Sequence, residues 1–326
     1  MKKFLILTFV FFSFNFFGKS LAQKESKILK KKLSQNSYQE LLESYNTCFK
    51  DSVKAKIYAE AFLLKAKAVK DVIKQADGYY MLASISERTK ALIYADSIIE
   101  ITKGIKDLNY PAKAHLLKGW YLAGKDKYKE SMDELVQANF YANENKNRDQ
   151  QFKIKYYIAY LKKSIGDKEE NLNLLKSTEN YFFNKFKEDK KYEGFYIKTL
   201  FALGDSYNAN KNYDSAMFIN KRAIKLSLQS KDSTLYSPLL LSTAIIHYYN
   251  KEYNSALDSL NKLQKLKPKI KLNEGNFIRS YLFRGLIFFE QGNLEKSIPI
   301  LQKVDSMAFN NNHFFPFLRS GYELLI

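Results

Sequence analysis

Pairs of small residues twelve positions apart recur along the chain: Ala83/Ala95, Gly119/Ser131, Ala159/Asn171, Gly204/Ala216, Ala244/Ala256 and Gly285/Ser297. The first members of successive pairs lie 36, 40, 45, 40 and 41 residues apart. An internal period of this length requires a stack of similar units, in which each unit buries its apolar face on its neighbours. Such a stack offers a shared surface for binding rather than one enclosed catalytic centre.

A second layer of the pattern defines the unit. Three residues before the second small residue stands Leu92, Tyr128, Tyr213, Tyr253 or Leu294, and four residues after it stands Ile99, Leu135, Leu175, Leu260 or Leu301. Apolar spacings of three, four and seven mark one face of an α-helix. Between the small residues lie breaker clusters: Gly124-Lys125-Asp126, Ile165-Gly166-Asp167, Asn210-Lys211-Asn212, Asn250-Lys251-Glu252 and Gln291-Gly292-Asn293. Gly and Asn tolerate positive φ, so these clusters predict tight turns. Each unit is therefore helix A, turn, helix B, with the small residues where A and B cross.

This arrangement resembles the tetratricopeptide repeat. The clearest match is Phe201-Ala202-Leu203-Gly204 followed by Tyr207, Tyr213, Ala216 and Ala223; the next unit supplies Ala244, Tyr253, Ala256, Leu260 and a helix-ending Pro268. Asn171, Asn220 and the mid-helix Pro299 depart from the family pattern, and the period exceeds its usual length. The resemblance implies an all-α fold, a right-handed α-solenoid of about seven helix-turn-helix units plus one extra C-terminal helix. The expected units span 36–70, 76–108, 112–142, 152–184, 197–229, 237–268 and 278–309, with a partial unit at 315–326 opened by Gly321. In the first unit, Ala59 is expected to mark helix B, with Thr47 in the place of the first small residue.

Residues 1–22 read as a signal peptide: Lys2 and Lys3, the apolar run Phe4–Phe17, and Ser20-Leu21-Ala22 as a cleavage site. The run is short for a membrane span, an uncleaved anchor being the other reading. The remaining 23–326 reads as one continuous solenoid, exported and most simply periplasmic. The lone Cys48 permits no internal disulfide. Lysine and arginine number 53 against 34 acidic residues, a formal charge of +19. The excess is dispersed and the aromatics fall at packing positions, so it reads as a solvated face rather than a nucleic-acid site.

The three histidines, His115, His247 and His313, stand far apart, with no partner at metal-ligand spacing. No phosphate loop or nucleophile elbow is present, so the chain reads as non-catalytic, with no cofactor or metal. In the tetratricopeptide family, helix A lines a concave groove that binds peptides. Carried over, the groove comprises Lys113, Lys153, Lys198, Pro238 and Arg279 near the helix starts, then Trp120, Tyr157, Tyr160, Lys163, Asp205, Asn208, Tyr248 and Tyr249. Cations beside aromatic shelves suit a protein or extended peptide of acidic character. The family's Lys/Asn carboxylate clamp is not reproduced.

Lys225-Leu226-Ser227-Leu228, Lys303-Val304-Asp305-Ser306 and Tyr322-Glu323-Leu324-Leu325-Ile326 also resemble the exported sensor half of membrane-anchored AraC-type bacterial regulators. The resemblance implies a sensory role, with the transmembrane and DNA-binding parts outside this chain. A self-standing periplasmic or surface scaffold is the alternative.

Overall fold

The computed structural model describes residues 29–230, 234–266 and 274–310. The expected signal peptide, Pro268, His313 and the partial unit at 315–326 lie outside the described residues. Among the described residues there is no strand. Seven pairs of helices follow one another: α1 (Tyr38–Thr47) and α2 (Ser52–Ala68), α3 (Val72–Ser84) and α4 (Arg88–Thr102), α5 (Ala112–Ala123) and α6 (Tyr128–Glu144), α7 (Arg148–Ser164) and α8 (Lys168–Glu188), α9 (Glu193–Ala209) and α10 (Tyr213–Gln229), α11 (Tyr236–Tyr249) and α12 (Tyr253–Leu266), α13 (Glu274–Glu290) and α14 (Leu294–Asn310). The chain forms two compact units that divide between Leu161 and Lys162.

The second helices carry the same buried ladder at i, i+4, i+7 and i+11, the spacing of one helical stripe, except that in α12 the described ladder is the three rungs Ala256, Leu260 and Leu263. It reads Ser131-Leu135-Ala138-Ala142 in α6 and Ala216-Asn220-Ala223-Ser227 in α10. In α14 it reads Ser297-Leu301-Val304-Ala308. The ladder begins three residues into each of these helices.

The same rule corrects the register of the first two repeats. In α2 the ladder is Ala55-Ala59-Phe62-Ala66, and in α4 it is Ala91-Ala95-Ile98-Thr102. The expected pairs anchored on Ala59 and Ala95 therefore sit one helical turn too late. Thr47 is exposed at the end of α1 and makes no close helix crossing. The slip has a plain cause: both helices carry alanine at two successive rungs, and either fits a small-residue template.

Where the register holds, the helices approach closely. Ser131 Oγ donates to the Gly119 carbonyl at 2.7 Å, and Ser297 Oγ donates to that of Gly285 at 2.9 Å. A Cβ on Gly285 would lie 2.7 Å from Leu301 Cδ2, and one on Gly204 would lie 2.5 Å from Asn220 Oδ1. The asparagines that depart from the family pattern are buried ties to the following first helix. Asn171 Oδ1 accepts from Ser206 Oγ at 2.5 Å, and Asn220 Nδ2 donates to Ser242 Oγ at 2.9 Å.

The turns between α5 and α6, and between the two helices of each later pair, share one design. The residue two before the second helix has positive φ: Asp126 (58°), Gly166 (86°), Lys211 (60°), Lys251 (60°) and Gly292 (72°). The next residue donates back to a carbonyl five positions earlier, as Asn212 N does to Tyr207 O at 2.9 Å, which closes the helix end. In three of these turns the left-handed residue is a lysine or aspartate rather than the expected Gly or Asn, so the backbone hydrogen bonds hold it there. Asp51, Asp167, Asn212 and Asn293 then cap the second helices through their side chains.

Gly204→Ala should destabilise the protein by about 1–3 kcal/mol through overpacking against Asn220. In an Asn220→Ala background the same change should cost much less, because the clashing oxygen is gone. Chemical denaturation of the four proteins in this cycle measures the coupling; additive effects would refute the crossing geometry.

Candidate functional site

The expected groove residues fall into separate clusters within each compact unit. In the N-terminal unit, Lys113 follows the start of α5 and lies half-buried, its Nζ 3.8 Å from the Tyr80 ring centre and 5.4 Å from that of Tyr110. Burial pushes its pKa down; Asp77 opposes that shift and the Lys153 charge adds to it. Asp77 Oδ1 accepts from the Tyr110 hydroxyl at 3.0 Å, while its Oδ2 lies 3.5 Å from Lys74 Nζ. Burial and the Asp77 charge raise the Tyr110 pKa, so its hydroxyl stays protonated as the donor.

One face of α5 and α7 carries an aromatic shelf. Trp120 meets Tyr157 and Tyr160 edge-on at 5.2 and 5.4 Å. Trp120 and Tyr160 are 40% and 43% exposed, whereas burial raises the Tyr157 pKa. The shelf is thus anchored on its inner ring and open on the other two.

In the C-terminal unit two of the expected groove residues, Lys163 and Asp205, neutralise each other. Lys163 Nζ pairs with Asp205, so this lysine is not a bare cation. Asp205, Asn208 and Arg279, brought together by α9 and α13, line a cavity of about 50 Å³ with Pro238, Ser242 and Asn276. Asn208 Oδ1 is buried there with no hydrogen-bond partner. Lys198 has its pKa lowered by burial and lies 5.7 Å from the Phe195 ring centre.

Tyr248 and Tyr249 flank Phe283 at 5.3 and 6.1 Å, and Tyr249 stacks on Tyr213 at 6.3 Å with a 6° tilt. Burial, with Glu290 nearby, pushes the Tyr248 pKa up to about 12.

His115 is a structural residue. It stacks on Tyr141 at 5.5 Å and its Nδ1 lies 2.7 Å from Glu134 Oε2. Lys118 Nζ meets the other Glu134 oxygen at 2.7 Å. Among the described residues, no three His, Cys, Asp or Glu side chains converge as a metal site. No described helix is long and apolar enough to cross a membrane. Sequence reasoning missed a cavity of about 640 Å³ beside the first helices, where only Lys113 was expected. All its aromatic residues except Tyr80 belong to the most degenerate repeat, which has no family signature to flag them.

The tetratricopeptide repeat profile matches residues 197–230 and 278–311. No curated protein sequence is a match. Among solved structures, NprR in complex with its cognate peptide NprX is similar, with a TM-score of 0.63 at 16% identity over 91% of this chain and 83% of that one. A Rap protein complexed with competence and sporulation factor gives 0.61 at 15% identity, over 84% and 74% of the two chains. A tetratricopeptide repeat protein from Parabacteroides merdae gives 0.51 at 15% identity, over 88% and 97%.

Burial alone would raise the Glu134 pKa, but its contacts with His115 and Lys118 hold it below the ordinary 4.5. A depressed carboxyl contributes stability above its unfolded pKa, and that contribution is lost as pH falls through the lower folded value. Glu134→Gln should therefore cost about 1–2 kcal/mol at neutral pH, and the difference should shrink steadily below pH 4.5. Paired thermal melts across that range check it. The tetratricopeptide repeat match thus covers two segments of the chain, and the helix pairs with their ladders give it an all-α fold shared with these structures.

Proposed function

We propose that this chain is a non-catalytic scaffold that binds an extended peptide or protein segment along the first-helix faces of its repeats. The observation that carries this reading is the α9/α13 cavity. Asp205, Asn208, Asn276 and Arg279 present donors and acceptors around one space, and Asn208 Oδ1 is buried without a hydrogen bond. A buried polar atom of this kind is costly until it is satisfied. A peptide N–H laid across the cavity supplies the missing donor. The similar fold of NprR, whose structure holds its cognate peptide NprX, supports the choice of a peptide.

The shelf of Trp120, Tyr157 and Tyr160 in the N-terminal unit, and the Tyr248/Tyr249 pair in the C-terminal unit, offer apolar anchors for side chains. Lys113, Lys153, Lys198 and Arg279 favour a segment of acidic character. The chain serves as the exported sensory portion of a bacterial signalling regulator, a reading supported by the resemblance of its sequence to such sensor halves. The coding sequence after Ile326 discriminates: an apolar span of about 20 residues and then a basic helical domain supports the sensor. An immediate stop favours a self-standing scaffold.

Peptides selected from a random library against the full chain should bind saturably and shift the emission of Trp120, the single tryptophan, where they cover the aromatic shelf. Asn208→Ala and Arg279→Ala should each weaken a selected peptide by about tenfold, roughly 1.4 kcal/mol. Failure to select any peptide, or affinities indifferent to both changes, would sink the groove.

A further inference from the structure

The 640 Å³ cavity of the N-terminal unit is a second site with its own chemistry. It lies between α1 and α3, the first helices of the first two repeats. Leu42 and Asn46 follow one stripe of α1 and Phe49 stands in the turn just after it, while Lys74, Asp77 and Tyr80 follow one stripe of α3. Phe62 comes from α2 and Lys113 reaches in from α5. Its volume is that of a small-ligand pocket, in the range of about 300–1,000 Å³.

The walls are apolar and fixed. Tyr38 and Phe62 rings meet at 4.7 Å, and the Tyr45 hydroxyl donates to the Met81 carbonyl at 2.9 Å. Leu42 and Phe49 are nonetheless 43% and 48% exposed, so apolar surface faces water until something covers it.

The polar groups have one sign of excess. Lys74 and Lys113 stand with a single carboxylate, Asp77, in the lining, and both Asp77 oxygens are engaged, one by Tyr110 and one by Lys74. Lys113 lies against the Tyr80 ring rather than against a carboxylate. The Tyr38 hydroxyl is buried with no hydrogen-bond partner and is available as a donor. An anion placed here meets an ammonium at the edge of an aromatic wall, where water competes weakly.

We propose that this pocket binds an amphiphilic carboxylate, with an aromatic or branched aliphatic group against Tyr38, Phe62, Leu42 and Phe49 and the carboxylate held by Lys113 and Lys74. The same chemistry comes from a free organic acid or from the C-terminal residue of a peptide. The site uses none of the Asn208/Arg279 cavity and shares only Lys113 with the extended-peptide reading, so Asn208→Ala and Arg279→Ala test that reading without touching this pocket.

Calorimetric titration of the full chain with 4-phenylbutyrate and its neutral amide tests it, alongside N-acetyl-Gly-Phe as the acid and the amide. At least one acid should bind saturably, and its amide about tenfold more weakly or worse. Lys113→Met should weaken the acid by a similar factor, with the exposed Lys129→Met as a control that leaves it unchanged. Preference for phenylbutyrate identifies a free acid, and preference for the dipeptide acid identifies a chain terminus. Equal binding of acids and amides, or no saturable binding of either acid up to about 5 mM, overturns the proposal. The acid–amide comparison on the unaltered protein decides the matter even where Lys113→Met does not fold.

Discussion

The close crossing of the two helices in each repeat is the constraint on which the rest of the structure depends. The second-helix ladder is built from Ala, Ser, Thr, Asn and a few larger residues, nearly all with almost no exposed surface. At Gly119, Gly204 and Gly285 there is little or no room for a Cβ. Interiors packed to this density transmit strain rather than absorb it. Large side chains are consequently excluded from the crossing and gather at its edges. That is why Trp120, Tyr160 and Tyr249 remain half-open: the packing rule that builds the repeat also leaves aromatic surface available on first helices.

The register was legible from Gly119 onward because glycine marks three of the five crossings, Gly119, Gly204 and Gly285, and the Ala159/Asn171 and Ala244/Ala256 pairs fall between them at a similar period. It was illegible at Ala55/Ala59 and Ala91/Ala95, where two rungs have the same side chain and periodicity alone cannot choose between them. The turns were legible as turns, but not in detail. Lys211 and Lys251 adopt positive φ because a backbone hydrogen bond closes the helix end around them, an outcome that residue propensity does not encode.

The candidate site was legible by residue type and not by pairing. Lysines near helix starts were evident, yet Lys163 finds Asp205 from 42 positions away, and Lys113 faces an Asp77 contributed by the preceding repeat. A repeat period brings residues about 36 to 45 positions apart into register, so charge pairing between neighbouring repeats is set by the exact length of each unit. A one-turn slip suffices to hide it. The same slip concealed the 640 Å³ cavity, whose aromatic wall lies mostly in the repeat with the weakest signature.

Local pairing also changes what the formal +19 means. Carboxylates are spent where lysines crowd: Asp205 on Lys163, Glu134 on Lys118, Asp77 on Lys74. The solvated remainder is screened by salt and discriminates poorly among anions. Lys113 differs in kind, because folding has already removed much of its water and set it against a ring. A carboxylate arriving there regains for the ammonium some of what burial took away, and it does so only when its apolar portion fits the adjoining wall. Selectivity in this protein therefore belongs to the few cations that the repeat packing has partly desolvated, not to the many that give the chain its net charge.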